Sequence, residues 1–367
     1  MSAKEIYSHT GIRGIAAGSV CIAHLIQFKK LTLVYGAGLS VLLWQDYAVD
    51  LFFILSGFIM DWVYVANSTK IEWRTYFISR IARIAPLYYL TTLSLTLIPI
   101  LSILKYGLKY VSSNYIVQLA ANFTMFSGLI NGWHESKFCQ INRPAWSVCV
   151  EVFLYISIFP TLYFTRKIIR KNNLYINIII SFILTQSIIF LYSNPNLFQL
   201  QIFSYKIDTT FFLRGILGFS LGFMVCETFV LIRDCKNKKT IAIYNYTLLL
   251  SLLFLIISRI NIFREYCIIY TFPVIVCLSA FDTGYVFKIL SCNTFQWLGS
   301  RSYSIYLWHI PVFGFLINLI FSRIKFHNPL QLIIELIMSI VIVVIISDLS
   351  YKYFETPCRR LIRKTLL

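Results

Sequence analysis

Acidic residues are scarce in this chain: 15 Asp and Glu stand against 33 Lys and Arg, and charged residues fill only 13% of its 367 positions. A soluble domain carries about a quarter charged residues. The deficit, with 58% hydrophobic residues and a mean hydropathy of +0.73, excludes an ordinary soluble enzyme and indicates a polytopic membrane protein. Metal and redox frameworks are missing as well. The nine cysteines show no CxxC pair and no Cys/His metal spacing. Most (Cys21, Cys149, Cys226, Cys267, Cys277) lie in or beside apolar spans, where Cys behaves as a small hydrophobe, and Cys139 and Cys149 are read as unbridged. A Gly-rich phosphate loop and a GxSxG nucleophile elbow are both absent. The first apolar segment has neither a basic n-region nor an A-x-A site, so it reads as a retained span.

What the chain does contain is a series of apolar runs of roughly 17–25 residues, the length that crosses a bilayer as a helix. Ten are expected, near 11–28, 47–66, 82–102, 146–164, 174–192, 210–232, 243–258, 266–281, 302–322 and 331–351; the segment 115–130 reads as interfacial or re-entrant. With the N-terminus in the cytoplasm, inner loops hold 20 Lys and Arg and outer loops 11, the bias that orients membrane proteins. This accounts for the net charge of +18 without nucleic acid, for which no motif is present. An even span count returns the C-terminus to the cytoplasm. The expected architecture is all-α and integral to the membrane, a single domain over 1–367 with no appended soluble domain.

Five stretches place polar groups where lipid disfavours them. In "GIRGIAAGSVCIAHLIQF", Arg13 and His24 are eleven residues apart, on one helix face and about 16 Å apart along the axis. Alone, Arg13 reads as a side chain snorkelling to headgroups; the pair on one face reads as the lining of a cavity, with His24 in the outer half. "YAVDLFFILSGFIMDW" brings Asp50 to the depth of His24, either as an interfacial acid in water or as a group that orients the imidazole. Ser56-Gly57 in the same span reads as close helix packing or a kink, and Asp61 has no assigned role. "FISRIARIAPLYYL" sets Arg80 and Arg83 one turn apart, suited equally to anchoring and to forked hydrogen bonds with a phosphate-rich ligand. "NRPAWSVCVEVFLY" carries Glu151, expected near His24 and Asp50 as a second orienter or a contact to the acceptor, with Arg214 as the competing structural partner. "SRSYSIYLWHIPVF" carries Tyr306 and His309, which point into the bundle together; His309 reads as part of the ligand path ahead of a second base, and Tyr303, Tyr306 and Trp308 read equally as an interfacial aromatic belt. His134, in an outer loop, reads as solvated.

A His base, carboxylates at its depth and cationic groups one bilayer-half below fit a long ligand with a charged cytoplasmic end and a reactive tip. A coenzyme A thioester has that shape.

The same residues resemble the acyltransferase family 3 membrane proteins, which acylate bacterial polysaccharides, lipopolysaccharide O-antigen, Nod factors and some antibiotics. "IRGIAAGSVCIAH" is similar to the family's R-x10-H signature, "VDLFFILSGF" to its second-span motif, and "SRIARIAPLYYL" to its arginine motif. "AWSVCVEVFLY" is similar to its Trp-Ser…Glu…Tyr segment and "SYSIYLWH" to its motif near the C-terminus, all in the family's order. The resemblance implies ten spans, an acyl-CoA donor such as acetyl-CoA, His24 as catalytic base, and functional roles for Arg13, Arg80 and Arg83. Two departures stand out. "SHTGIRG" lacks the Asp-Gly pair that opens the signature in many relatives, and the extracytoplasmic hydrolase-like domain that some relatives carry at the C-terminus is not expected after "RRLIRKTLL". The expectation is an O-acyltransferase of the bacterial cytoplasmic membrane, without a metal, that serves a glycan or lipid-linked glycan. His24, Asp50 and Glu151 would carry the chemistry, and Arg13, Arg80, Arg83, Tyr306 and His309 the donor. A glycan transporter or flippase is the alternative, since intramembrane charges also line transport paths.

Overall fold

The computed structural model describes residues 5–28, 45–67, 70–106, 115–125, 127, 140–169, 173–194, 197–202, 205–234, 238–257, 265–315 and 329–367. His134 and Cys139 lie outside them. The chain is helical: α1 (Tyr7–Phe28), α2 (Gln45–Asp61), α3 (Trp73–Tyr106), α4 (Tyr115–Phe123), α5 (Trp146–Phe153), α6 (Phe159–Ile169), α7 (Leu174–Ser193), α8 (Thr210–Ile232) and α9 (Lys238–Ile257) come first. After them run α10 (Thr271–Ser279), α11 (Gly284–Leu290), α12 (Asn293–Ser300), α13 (Ser302–Phe315), α14 (Pro329–Ser350) and α15 (Thr356–Leu366). A small antiparallel hairpin between α7 and α8, Gln199–Ile202 against Tyr205–Asp208 with Gln199 opposite Asp208, departs from the all-helical expectation.

Five helical stretches among the described residues are long and apolar enough to cross a bilayer: Tyr47–Ala66, Arg143–Arg166, Leu174–Ser193, Thr210–Ile232 and Ile333–Leu366. A sixth forms if Ile268–Ser279 and Gly284–Leu290, which meet at 89°, count as one broken span. The expected spans near 11–28, 82–102, 243–258 and 302–322 fall on α1, α3, α9 and α13, whose described apolar stretches are shorter or more interrupted by polar residues. Outward faces carry Ile179, Phe182, Leu250, Leu253, Ile337 and Ile345, whereas His24, Asp50, Arg214, His309 and Glu355 are buried. That inversion of the soluble pattern is what lipid as solvent demands.

The centre of the bundle is the pairing of α2 with α8, flanked by α1, α5, α7 and α10. Glycine makes the pairing possible. In "LRGILGFSLGF" Gly218 and Gly222 lie on one face of α8, and a Cβ on Gly222 would collide with the Ile54 carbonyl of α2. Gly57 of α2 returns the contact, since a Cβ there would strike the Phe219 carbonyl. Without side chains between them the two backbones touch, as small residues permit in membrane helices. Gly14 of α1 does the same toward α12, where an added Cβ would stand 2.7 Å from the Gly299 nitrogen.

A buried ion pair ties one end of this pairing. Asp50 of α2, fully buried, accepts from Arg214 Nη2 of α8 at 2.9 Å and from Nε at 3.2 Å, and Tyr192 of α7 donates to it at 2.5 Å. The Arg214 guanidinium also stacks on the Tyr192 ring, 4.1 Å from its centroid. Three helices thus meet at one satisfied charge pair.

Two sets of substitutions test this core. Gly222→Ala should lower the thermal midpoint of the detergent-purified protein by the equivalent of about 1–3 kcal/mol, the usual penalty of overpacking. Gly18→Ala, where nothing lies within 4 Å of the new methyl, should be neutral. Asp50→Ala leaves Arg214 buried without its counter-charge and should cost about 3–5 kcal/mol. Asp50→Ala combined with Arg214→Leu should recover much of that loss in the same melting assay.

Candidate active site

The site is built where α1, α2, α3, α5 and α13 converge. "NRPAWS" starts it: Pro144 sits in a short 3₁₀ turn, Arg143–Ala145, from which α5 runs inward. Glu151 follows five residues after Trp146, and its Oε1 accepts from Ser56 of α2 at 2.9 Å and from Tyr155 at 2.5 Å. Tyr155 belongs to a π-helical turn, Leu154–Ile158, of the kind that collects at functional sites. Ser56, read from sequence as a packing residue, is therefore a donor to the half-buried acid.

Glu151 opens onto a cavity of about 50 Å³, space for a few water molecules or a thin chain. Arg13, Ser56, Ser147, Tyr303 and Tyr306 line it with Glu151. Tyr306 Oη donates to the Pro144 carbonyl at 2.8 Å and meets Ser147 Oγ at 2.8 Å. Three residues expected at the site, Arg13, Glu151 and Tyr306, thus share one cavity although they come from three separate helices.

His24 and His309 form a second cluster beside it. His309 is fully buried and His24 nearly so. Their rings stack with centroids 5.0 Å apart at 26°, and His24 Nδ1 lies 3.1 Å from His309 Nε2. The Tyr306 ring joins the clusters, its centroid 5.9 Å from that of His309. "WHIPVF" explains the local build of α13. Pro311 has no N–H, so the Leu307 carbonyl four residues back loses its helical donor. Asn142 supplies a replacement, its Nδ2 donating to Leu307 O at 2.9 Å. Asn142 is itself in reach of Thr91, and its neighbour Ile141 donates to Asn122 Oδ1 at 2.9 Å.

The arginines lie toward the opposite end. Arg80 rests between two aromatic faces, 5.7 Å from the centroids of both Tyr64 and Tyr155, and its Nη2 donates to Tyr64 Oη at 3.4 Å. Arg83 and Arg13 repel one another across the site, and among the described residues neither takes an ion-pair partner. Two more cations come from α15: Arg363 stands in the electrostatic field of Arg80, Arg83 and Arg359, and Arg359 faces Glu355. The helix is fastened there by Arg74, which donates to Leu366 O at 2.9 Å. Glu355, buried in the π-helical turn before α15, accepts from Ser304 at 2.7 Å and faces Arg13, Arg83 and Arg359. Five guanidiniums against the carboxylates of Glu151 and Glu355 leave three positive charges in excess, a field suited to a polyanion.

Asp50 takes a different place from the one expected. Its carboxylate is held by Arg214 and Tyr192, and the group on Nδ1 of His24 is His309. Arg214, expected as a rival partner of Glu151, is the partner of Asp50 instead. Asp61 is buried beside the Arg166–Glu227 pair, which closes at 2.8 Å. The residues that sequence reading passed over are Asn142, Tyr155, Glu355, Arg359 and Arg363. For the last two a signal existed: "TPCRRLIRK" puts Arg359 and Arg363 one helical turn apart, the same device as Arg80 and Arg83. Nothing in the sequence pairs Asn142 with a carbonyl 165 positions away.

Comparison with known proteins bears on this arrangement. The chain is similar to the "Peptidoglycan O-acetyltransferase OatA" of Listeria monocytogenes, 24% identical over 98% of this chain and 56% of that protein. It is 24% identical to the "Putative peptidoglycan O-acetyltransferase YrhL" of Bacillus subtilis, over 85% of this chain and 50% of the relative. The chain thus spans about half the length of the curated relatives it matches. No solved structure matches it. The acyltransferase domain model matches residues 6–350, which takes in the cavity, the paired histidines and Arg80 and Arg83, and the chain belongs to that acyltransferase family.

Proposed function

We propose that this protein is a membrane O-acyltransferase that moves an acyl group, acetyl in the first instance, from a coenzyme A thioester to a sugar hydroxyl of a cell-surface glycan. The acceptor class spans O-antigen and exopolysaccharide units, and the names of the relatives add peptidoglycan to it. The observation that carries the reading is an unbroken line of polar and aromatic groups. It runs from the guanidiniums of Arg80 and Arg83, through Tyr155 and Glu151, to Arg13 and Tyr306 around the cavity, and ends at His309 and His24. A donor laid along it meets cations at its phosphate end and an imidazole at its acyl end.

In this reading the chain is a ten-span protein of the bacterial cytoplasmic membrane, surrounded by its lipids, with both termini inside and the arginine cluster at the cytoplasmic surface. Arg80 and Arg83 hold the phosphates by forked, charge-assisted hydrogen bonds, and Arg13 positions the donor in the cavity. His24 removes the acceptor hydroxyl proton as the oxygen attacks the thioester carbonyl. The C–S bond breaks, and the leaving thiolate takes that proton back from the imidazolium. General-base help contributes about 10²–10⁴-fold, and alignment of the two substrates much of the rest. Glu151, on the cavity wall with its Oε1 bound by Ser56 and Tyr155, orients the acceptor rather than the base. Asp50 acts through the Arg214 tie, holding α2 and α8 in place.

Purified full-length protein with labelled acetyl-CoA, assayed with and without a glycan extract of the host, tests the reaction. CoA release that requires His24 and puts label on the glycan is the expected result. Full transfer by a folded His24→Ala protein would overturn the base, and no donor turnover by folded wild type would point to transport of the glycan. Arg80→Ala and Arg83→Ala should each raise the donor KM by about 10-fold or more, since a hydrogen bond to a charged group contributes about 1.5–3 kcal/mol. Arg359→Ala with Arg363→Ala should raise the same KM by a smaller factor and leave kcat unchanged.

A further inference from the structure

The neighbours of His24 and His309 fix where the protons of the pair reside. A backbone carbonyl only accepts, so an imidazole nitrogen bonded to one carries hydrogen. His309 Nδ1 faces the Ile305 carbonyl at 3.3 Å, one turn back along α13. With its proton on Nδ1, a neutral His309 presents Nε2 as an acceptor. His24 Nδ1 faces two acceptors at once, the Val20 carbonyl at 3.1 Å and His309 Nε2 at 3.1 Å, and so it too carries its proton. The lone pair of neutral His24 is then on Nε2. The assignment follows from the hydrogen-bond network on both rings.

We propose that His309 is the positioning residue for His24: Val20 O already holds the proton on Nδ1, and by accepting from the same Nδ1–H His309 sets the ring angle that aims Nε2 as the base and stabilises the imidazolium formed when Nε2 takes the acceptor's proton. In hydrolytic triads a carboxylate has this task. Here the carboxylates expected for it are engaged, Asp50 with Arg214 and Tyr192, Glu151 with Ser56 and Tyr155. A neutral acceptor also has a physical advantage at this depth. A buried carboxylate in contact with the ring would favour the charged imidazole before substrate arrives and remove the base, whereas a second imidazole orients the ring without doing so. The His309 Nδ1–H ends on Ile305 O, a group that takes no further proton, so the proton gained by His24 has no onward relay and stays until the leaving thiolate collects it. Asn142 completes the support by donating to the carbonyl that Pro311 leaves open, two residues before His309.

The inference rests on the transferase reading, and two measurements separate them. The first needs no substrate: ¹⁵N NMR of histidine-labelled full-length protein, which has five histidines, with His24→Ala used for assignment. His24 should be the Nδ1–H tautomer in every variant, held by Val20 O, with the wild-type Nδ1 shift kept in His309→Gln, whose amide oxygen accepts in the same way, and moved in His309→Leu, where the second acceptor is gone. The second is steady-state kinetics of the same variants. His309→Leu should lose kcat by on the order of 10²-fold with the donor KM unchanged, and His309→Gln should recover most of it. An unmoved His24 Nδ1 shift in His309→Leu would overturn the proposal. So would equal losses of kcat in the Gln and Leu variants, which would make the His309 ring itself a proton carrier. Wild type that turns over no donor, with the Nδ1–H tautomer intact, would overturn the transferase reading alone.

Discussion

Contact between the backbones of α2 and α8 governs where every other part of the site lies. Gly57, Gly218 and Gly222 remove the side chains that would hold the helices apart, and the Asp50–Arg214 pair fastens one end of the seam. From that seam Ser56 reaches Glu151 on α5, and Phe52 and Phe53 form part of the cavity wall. A buried charge pair adds little net stability over an apolar equivalent, because two ions must be stripped of water. Its value here is register: each ion is tolerable only opposite the other, so sliding α2 along α8 strands both.

The site separates charge from chemistry. Guanidiniums gather at one end and the paired imidazoles at the other, with Tyr155, Glu151 and Tyr306 between them. The arrangement suits a substrate that is charged at one end only. Cations held near a general base would disfavour its protonated form, and carboxylates beside it would favour that form too early. Distance along α1, about 16 Å between Arg13 and His24, keeps the two requirements apart.

Two π-helical turns contribute in the same way. Leu154–Ile158 re-aims α5 so that Tyr155 covers Glu151, and Tyr351–Glu355 turns Glu355 inward before the basic helix α15. In a helix each extra residue rotates the remaining turns about the axis, so a local widening redirects a side chain without breaking the backbone ladder. These devices leave no mark in hydrophobic periodicity.

Much was nonetheless legible from the chain alone. Apolar run length located α7, α8, α14 and the stretch Arg143–Arg166 to within a few residues, because burial in lipid imposes length and composition on a span. Spacing on one helix face paired Arg80 with Arg83 and aligned Arg13 with His24, because the α-helix has a fixed repeat. The ordered motifs identified the acyltransferase family. Contacts between helices were beyond that reach. Asp50 and Glu151 look alike in sequence, each an acid in an apolar span, yet one is bound by Arg214 and the other by Ser56 and Tyr155. His309 looked like a wall of the ligand path and proved to touch His24 across 285 positions. Sequence by itself determined which residues share a helix face and that their polar groups must point inward. Tertiary structure alone decided which inward groups meet, because partner choice depends on how closely two backbones approach and on their register, and both are set by packing between segments far apart in the chain.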